Sequence, residues 1–186
     1  LLTSLDLNAL TDLPDAKNLE EEQSALDNGL TLLVKNIELR ALDSDSTAGA
    51  ILDAHRSLAT DASLRQHLLA GVSQGLSCAQ ATVATANHFC DVFSRSSSSY
   101  LRERVLDVRD VCYQLLQQIY GEQRFPTPGQ LTQQSVCLAD DLTPGQFLEL
   151  DKTLLKGLLL KSGGTTSHTV ILARSFNIPT LVGVDS

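Results

Sequence analysis

The residues with the most chemical potential in this 186-residue sequence lie together in Gly163-Gly164-Thr165-Thr166-Ser167-His168. They follow a leucine run of strand character and precede an apolar pattern of helical period. A glycine pair lets the backbone turn sharply and approach a ligand closely. The free N–H groups that open the next helix, at the positive end of its dipole, form a site for an anion, with Gly163, Gly164, Thr165, Thr166 and Ser167 as its phosphate-binding residues. A free imidazole, with a pKa of about 6.5, is largely neutral and nucleophilic near pH 7. A histidine in that first turn can hold a negatively charged group against the helix end. The chemistry that uses all three features is phosphoryl transfer through phosphohistidine. Spacing alone also allows an ordinary strand-to-helix turn with His168 as an incidental capping residue, because no Walker lysine and no G-x-G-x-x-G pattern is present.

The elements that must position this loop are short. Gln134 to Ala139 reads as a strand, and Thr143-Pro-Gly-Gln-Phe147 as the start of a short helix with Pro144 at its first position. Lys156 to Lys161 reads as a buried strand. A helix from about Thr166 to Phe176, stopped by Asn177, and a strand from Thr180 to Val184 follow. Strand–helix–strand alternation predicts an α/β layer with parallel pairing.

Before Phe125-Pro-Thr-Pro-Gly129 the rhythm is helical throughout. Leu19, Leu26, Leu30, Leu33, Ile37 and Ala41 form one stripe of a helix over 19–42, broken by the polar run Asp43 to Thr47. Further helices are predicted from Ala48 to Leu58, from an Asp61 cap to Val72, and from Gln74 to Val92. The serines Ser96 to Ser99 read as a turn with an N-cap. Leu101 to Ile119 reads as a single helix ending at Gly121. The fold class is thus α plus α/β. A helical bundle over 1–124 is inserted in, or precedes, a partial α/β subdomain over 125–186. Three strands in about 60 residues leave open sheet edges, so further strands are expected before residue 1, after residue 186, or both. No methionine stands at residue 1 or anywhere else, which points to a fragment or a processed chain.

Composition narrows the partners. Fourteen basic against 22 acidic residues give a net charge of −8, and no basic run could track a nucleic acid. An acidic surface meeting a basic protein is the expectation. No apolar stretch reaches the ~18 residues of a membrane span and no signal pattern opens the chain, so a cytoplasmic protein with no membrane contact is expected. Cys78, Cys90, Cys112 and Cys137 form no C-x-x-C pair and are expected to be reduced, packed thiols, with no metal site.

The run Gly163 to Arg174, followed by Asn-Ile-Pro-Thr-Leu-Val-Gly, resembles the phosphohistidine signature of phosphoenolpyruvate-utilising enzymes. Tyr100-Leu-Arg-Glu-Arg-Val-Leu-Asp-Val-Arg-Asp110 and Ala139-Asp-Asp-Leu-Thr-Pro144 resemble stretches of the Enzyme I family of the bacterial sugar phosphotransferase system. That likeness is close from Ser99 to Ser186. It is looser from Asn18 to Arg95, where helix order and the segment around His55 agree.

The resemblance implies that His168 accepts the phosphoryl group of phosphoenolpyruvate on the ring nitrogen farther from the backbone, then passes it to a histidine of a small phosphocarrier protein. It implies that the α/β part is a swivelling subdomain. Thr143 would orient the His168 ring, and its place before Pro144 equally suits a helix N-cap. The helical insert would dock the carrier. Ile51 to Leu58 matches the docking segment, with Asp53 and His55 near its centre, and Arg104 and Arg109 stand in the second match. His55 falls on the stripe of Ala48, Ile51, Leu52 and Leu58, so a packed histidine is an equal reading. Arg104 could instead pair with Asp107 on an exposed helix face. Arg174 lies about 240° round the helix from His168 and should point away from it. His67 and His88 read as structural. Mg2+ and phosphoenolpyruvate would belong to a C-terminal barrel domain of the full-length enzyme, with no cofactor in this stretch. Two other readings stay open: the phosphohistidine swivelling domain of a pyruvate phosphate dikinase or phosphoenolpyruvate synthase, and a non-catalytic anion-binding interaction module.

Overall fold

Helix α1 (Leu19–Leu42) starts where Asn18 accepts a hydrogen bond from the Glu21 N–H at 2.9 Å. Glu20, Glu21 and Glu22 in its first turn suit the positive end of the dipole. Its predicted stripe is buried at Leu26, Leu30, Leu33 and Ile37, each worth roughly 1.5–3 kcal/mol against exposure. In this computed structural model the described residues are Leu7, Leu10, 12–42, 46–126, 131–140, 142–161 and 167–184.

The chain forms two compact units: Asp6–Asp43 with Leu52–Pro126, and Leu1–Leu5 with Ser44–Ile51 and Thr127–Ser186. The first is helical. Beside α1 it holds the second half of α2 (Ser46–Ala59), α3 (Ala62–Ser73), α4 (Cys78–Ser94), α5 (Ser99–Glu103) and α6 (Val105–Tyr120). Asp61 caps α3 as predicted, accepting from the Leu64 N–H. Helix α4 begins four residues later than predicted, at Cys78. Gly75 takes φ +91°, a left-handed conformation that stops regular helix, and Ser77 then forms a capping box with Gln80.

The single helix predicted from Leu101 to Ile119 is two. The Arg104 N–H bonds back only three residues, to the Leu101 carbonyl, which tightens the last turn of α5 before α6 restarts. The three-four apolar spacing runs through the break and so carries no sign of it. Gly121, at φ +81°, ends α6.

The second unit is α/β. Strands β1 (Ser135–Ala139), β2 (Leu155–Leu160) and β3 (Thr180–Val182) form a parallel sheet in the order β1-β2-β3, with α7 (Pro144–Glu149) and α8 (His168–Ser175) as the connecting helices. Leu158 stands opposite both Cys137 and Thr180. The core gathers Leu158, Leu160, Phe147, Leu172 and Ile178 with Ala48 and Ile51 from the first half of α2. The residues of this unit are therefore not one continuous stretch of sequence. Asn177, at φ +56°, ends α8, an αL position that asparagine tolerates.

Candidate functional site

Parallel strands send their outgoing connections from the same, carboxyl edge of the sheet. β1 leads into the turn before α7 and β2 into the turn before α8. Thr143 and His168, the residues that open those two helices, thus follow the carboxyl ends of adjacent strands. Across that edge the Lys161 ammonium pairs with the Asp140 carboxylate at 3.0 Å.

Thr143 is 1% exposed and caps α7. Its Oγ1 accepts from the Gln146 N–H at 3.1 Å, and the Gln146 Oε1 accepts from the Thr143 N–H at 3.0 Å. Pro144 follows at the first helical position, where a missing N–H costs nothing. His168 is the first residue of α8 and is half-buried. The Ser167 hydroxyl caps that helix by accepting from the Val170 N–H at 3.4 Å. The next residue, Thr169, donates its hydroxyl to the Leu142 carbonyl at 2.6 Å. The segments carrying Thr143 and His168 are joined there. Gly163, Gly164, Thr165 and Thr166 lie outside the described residues. Arg174 stands exposed in the last turn of α8.

In the helical unit the predicted docking residues separate. Asp53 is exposed, with Arg56 Nε at 3.7 Å. His55 is 0% exposed and offers no surface to a partner. Its Nε2 lies 3.5 Å from Asp107 Oδ1 and 3.8 Å from Asp110 Oδ2, both carboxylates also buried. The alternative reading, an exposed Arg104–Asp107 pair, does not hold: Asp107 is buried and neither of its oxygens has a hydrogen-bond partner. Asp107 points inward, and the Arg104 guanidinium instead donates to the Tyr100 hydroxyl and stacks 4.9 Å from its ring centre. Arg109 is partly exposed beside the Cys90 thiol. Asp107 and Asp110 were not among the candidate site residues. The available signal was two carboxylates three apart among the apolar residues of one helix.

The remaining groups are quiet. Burial and the neighbouring Glu22 push the Cys78 thiol up to about 12, and burial takes Cys112 to about 12. These thiols are poor nucleophiles. His67 and His88 stack on each other at 4.6 Å, with Phe89 edge-on to both.

Residues 3–104, more than half of the chain, match the family described as PEP-utilising enzyme, N-terminal. The chain belongs to the PEP-utilising enzyme family. Residues 131–186 match its mobile domain, so Thr143 and His168 fall within the mobile-domain match and α1 to α5 within the N-terminal one. The chain is 78% identical over 184 residues to multiphosphoryl transfer protein 2 of Escherichia coli (strain K12), covering 99% of this chain and 22% of that protein. It is 34% identical over 158 residues to the phosphoenolpyruvate-protein phosphotransferase of Staphylococcus carnosus (strain TM300), covering 84% of this chain and 27% of that one. The chain thus spans about a quarter or less of the length of these curated relatives. An Enzyme I solution structure superposes with a TM-score of 0.65 at 27% identity, over 92% of this chain and 73% of the other. The N-terminal domain of the nitrogen Enzyme 1 superposes with a TM-score of 0.69 over all of this chain and 78% of the other; at 24% identity it supports the fold alone.

Proposed function

We propose that this PEP-utilising chain carries a phosphoryl group from phosphoenolpyruvate to a histidine of a small phosphocarrier protein, through a phosphohistidine on His168. The observation that carries the reading is the position of His168 as the first residue of α8, where the helix dipole and first-turn N–H groups favour an anion. The relative's name, phosphoenolpyruvate-protein phosphotransferase, supplies the donor.

In the first step the Nε2 lone pair of His168 attacks phosphorus. The bond from phosphorus to the enol oxygen breaks, and its electron pair leaves on that oxygen as pyruvate enolate. In the second step the carrier histidine attacks the same phosphorus and the bond to His168 breaks, its electron pair returning to the ring. Both steps need little beyond in-line positioning and charge stabilisation. Thr143, the buried N-cap of α7, is the residue assigned to orient the ring, while Asp53, Arg104 and Arg109 are assigned to the carrier. The net charge of −8 suits a basic carrier protein.

Among the described residues no three His, Cys, Asp or Glu side chains are grouped to hold a metal ion. This reading assigns Mg2+, with phosphoenolpyruvate, to the barrel domain of a longer protein. Among the described residues, too, no helix is long and apolar enough to cross a membrane, and we assign the reaction to the cytoplasm.

The test is to incubate the chain with phosphorylated carrier and look for acid-labile, alkali-stable phosphate by mass spectrometry. Label on His168, lost in His168→Ala, is expected. Label on His55, His67 or His88 instead would overturn the assignment.

A further inference from the structure

The bond from Thr169 to Leu142 leaves its own helix. A threonine deep in a helix can return its hydroxyl to its own backbone three or four residues back, but at the second position of α8 no earlier turn of that helix exists. Thr169 sends it to a carbonyl 27 residues away in sequence, at 2.6 Å. Thr169 and Leu142 are each 2% exposed, so water does not compete for the bond.

The place of this bond is specific. Leu142 immediately precedes Thr143, and Thr169 immediately follows His168. The N–H and Oγ1 of Thr143 are held by Gln146, while the carbonyl of the peptide group that joins Leu142 to Thr143 is held by Thr169. Any turn or slide of α8 that displaced the His168 ring would have to break the Thr169 bond and leave a buried carbonyl without a donor, which folded proteins avoid.

We infer that Thr169 is a positioning residue for His168: its hydroxyl sets the register of α8 against the Thr143 segment and so holds the imidazole where phosphorus can be attacked in line. The inference rests on the phosphotransfer reading above. It adds a residue that touches neither substrate nor carrier and acts through backbone alone. Sub-ångström placement of a nucleophile is worth large factors in rate, so a single buried bond at this point is well placed to matter.

The experiment uses the full-length protein with phosphoenolpyruvate and Mg2+, well below the thermal midpoint of every variant. Thr169→Val keeps the shape and removes the hydroxyl, and Thr169→Ser keeps the hydroxyl and removes the methyl. Thr169→Val should lower kcat for His168 phosphorylation about tenfold while leaving KM for phosphoenolpyruvate unchanged, and Thr169→Ser should return kcat to within about threefold of wild type. Equal kcat in wild type and Thr169→Val, or equal losses in the Val and Ser variants, would overturn the inference alone. A wild-type protein that gains no phosphate on His168 would overturn the phosphotransfer reading and this inference with it.

Discussion

His55 Nε2 and Asp107 Oδ1 lie 3.5 Å apart with both side chains buried between α2 and α6. Asp110 adds a second carboxylate to the same imidazole. Three ionisable groups out of water are costly, and removing one member of such a set costs about 3–5 kcal/mol because the others lose their compensation. Asp107→Ala should therefore lower helical-unit stability by about that amount in urea titrations followed by circular dichroism. The double variant His55→Leu with Asp107→Leu should lose less than the sum of its single variants, since the two residues are in direct contact.

Glu22 ties α1 to the start of α4. Its carboxylate accepts from the Cys78 N–H at 2.7 Å and from the Lys17 N–H at 2.9 Å. Burial alone would raise its pKa, but the hydrogen bonds from Lys17 and Cys78 and the Lys17 charge together hold it below the ordinary 4.5. A depressed folded-state pKa means stability that is fully present above 4.5 and is lost as pH falls through the folded value. Glu22→Gln should cost stability at pH 7 and progressively less as pH drops below 4.5. Urea midpoints for both proteins across that range give the comparison. A constant gap at all pH values would contradict the ionic role.

Gly29 permits the close approach of α1 and α6. A Cβ placed there would meet Ile119 Cγ1 at 2.5 Å and Leu115 Cδ1 at 3.3 Å. Alanine gains about 1 kcal/mol of helix propensity over glycine, whereas overpacking costs about 1–3 kcal/mol. Because the clash is with an inner atom of a β-branched side chain, the cost should win and Gly29→Ala should lower the thermal midpoint. Adding Ile119→Ala should relieve part of the loss.

Asp53 stands exposed on α2, with the solvated Arg56 beside it. If the carrier docks there, Asp53→Lys should slow association, and more at low salt than at high salt, since screening shortens the Debye length to about 10 Å at 0.1 M. Stopped-flow association rates for both proteins over a salt series measure this. Identical rates at every ionic strength would place the docking surface elsewhere.

The sequence by itself determined what local physics controls. The Leu26, Leu30, Leu33, Ile37 stripe, the Asp61 cap, Pro144 at the head of α7 and the Asn177 stop all act within a turn or two, and each stands where the spacing placed it. Strand–helix–strand alternation likewise implied parallel pairing, because the crossover helices leave no other sense. The α5–α6 break was not legible, for apolar period continues through it, whereas the late start of α4 did carry a local signal, Gly75 and the Ser77–Gln80 capping box, that a reading by apolar period alone passes over.

Only the tertiary structure decided which polar groups meet. His55 lay on an apolar stripe and could be read either way until α6 brought Asp107 and Asp110 against it. Arg104 is in reach of either Asp107 or Tyr100 along its own chain segment, and the burial of Asp107 against His55 left it Tyr100. Thr169 looked like one more helix residue, and its partner was 27 residues away. The reason is common to all three. Which polar groups come to lie side by side depends on how the elements pack, and that is a property of distance in space that spacing along the chain does not encode.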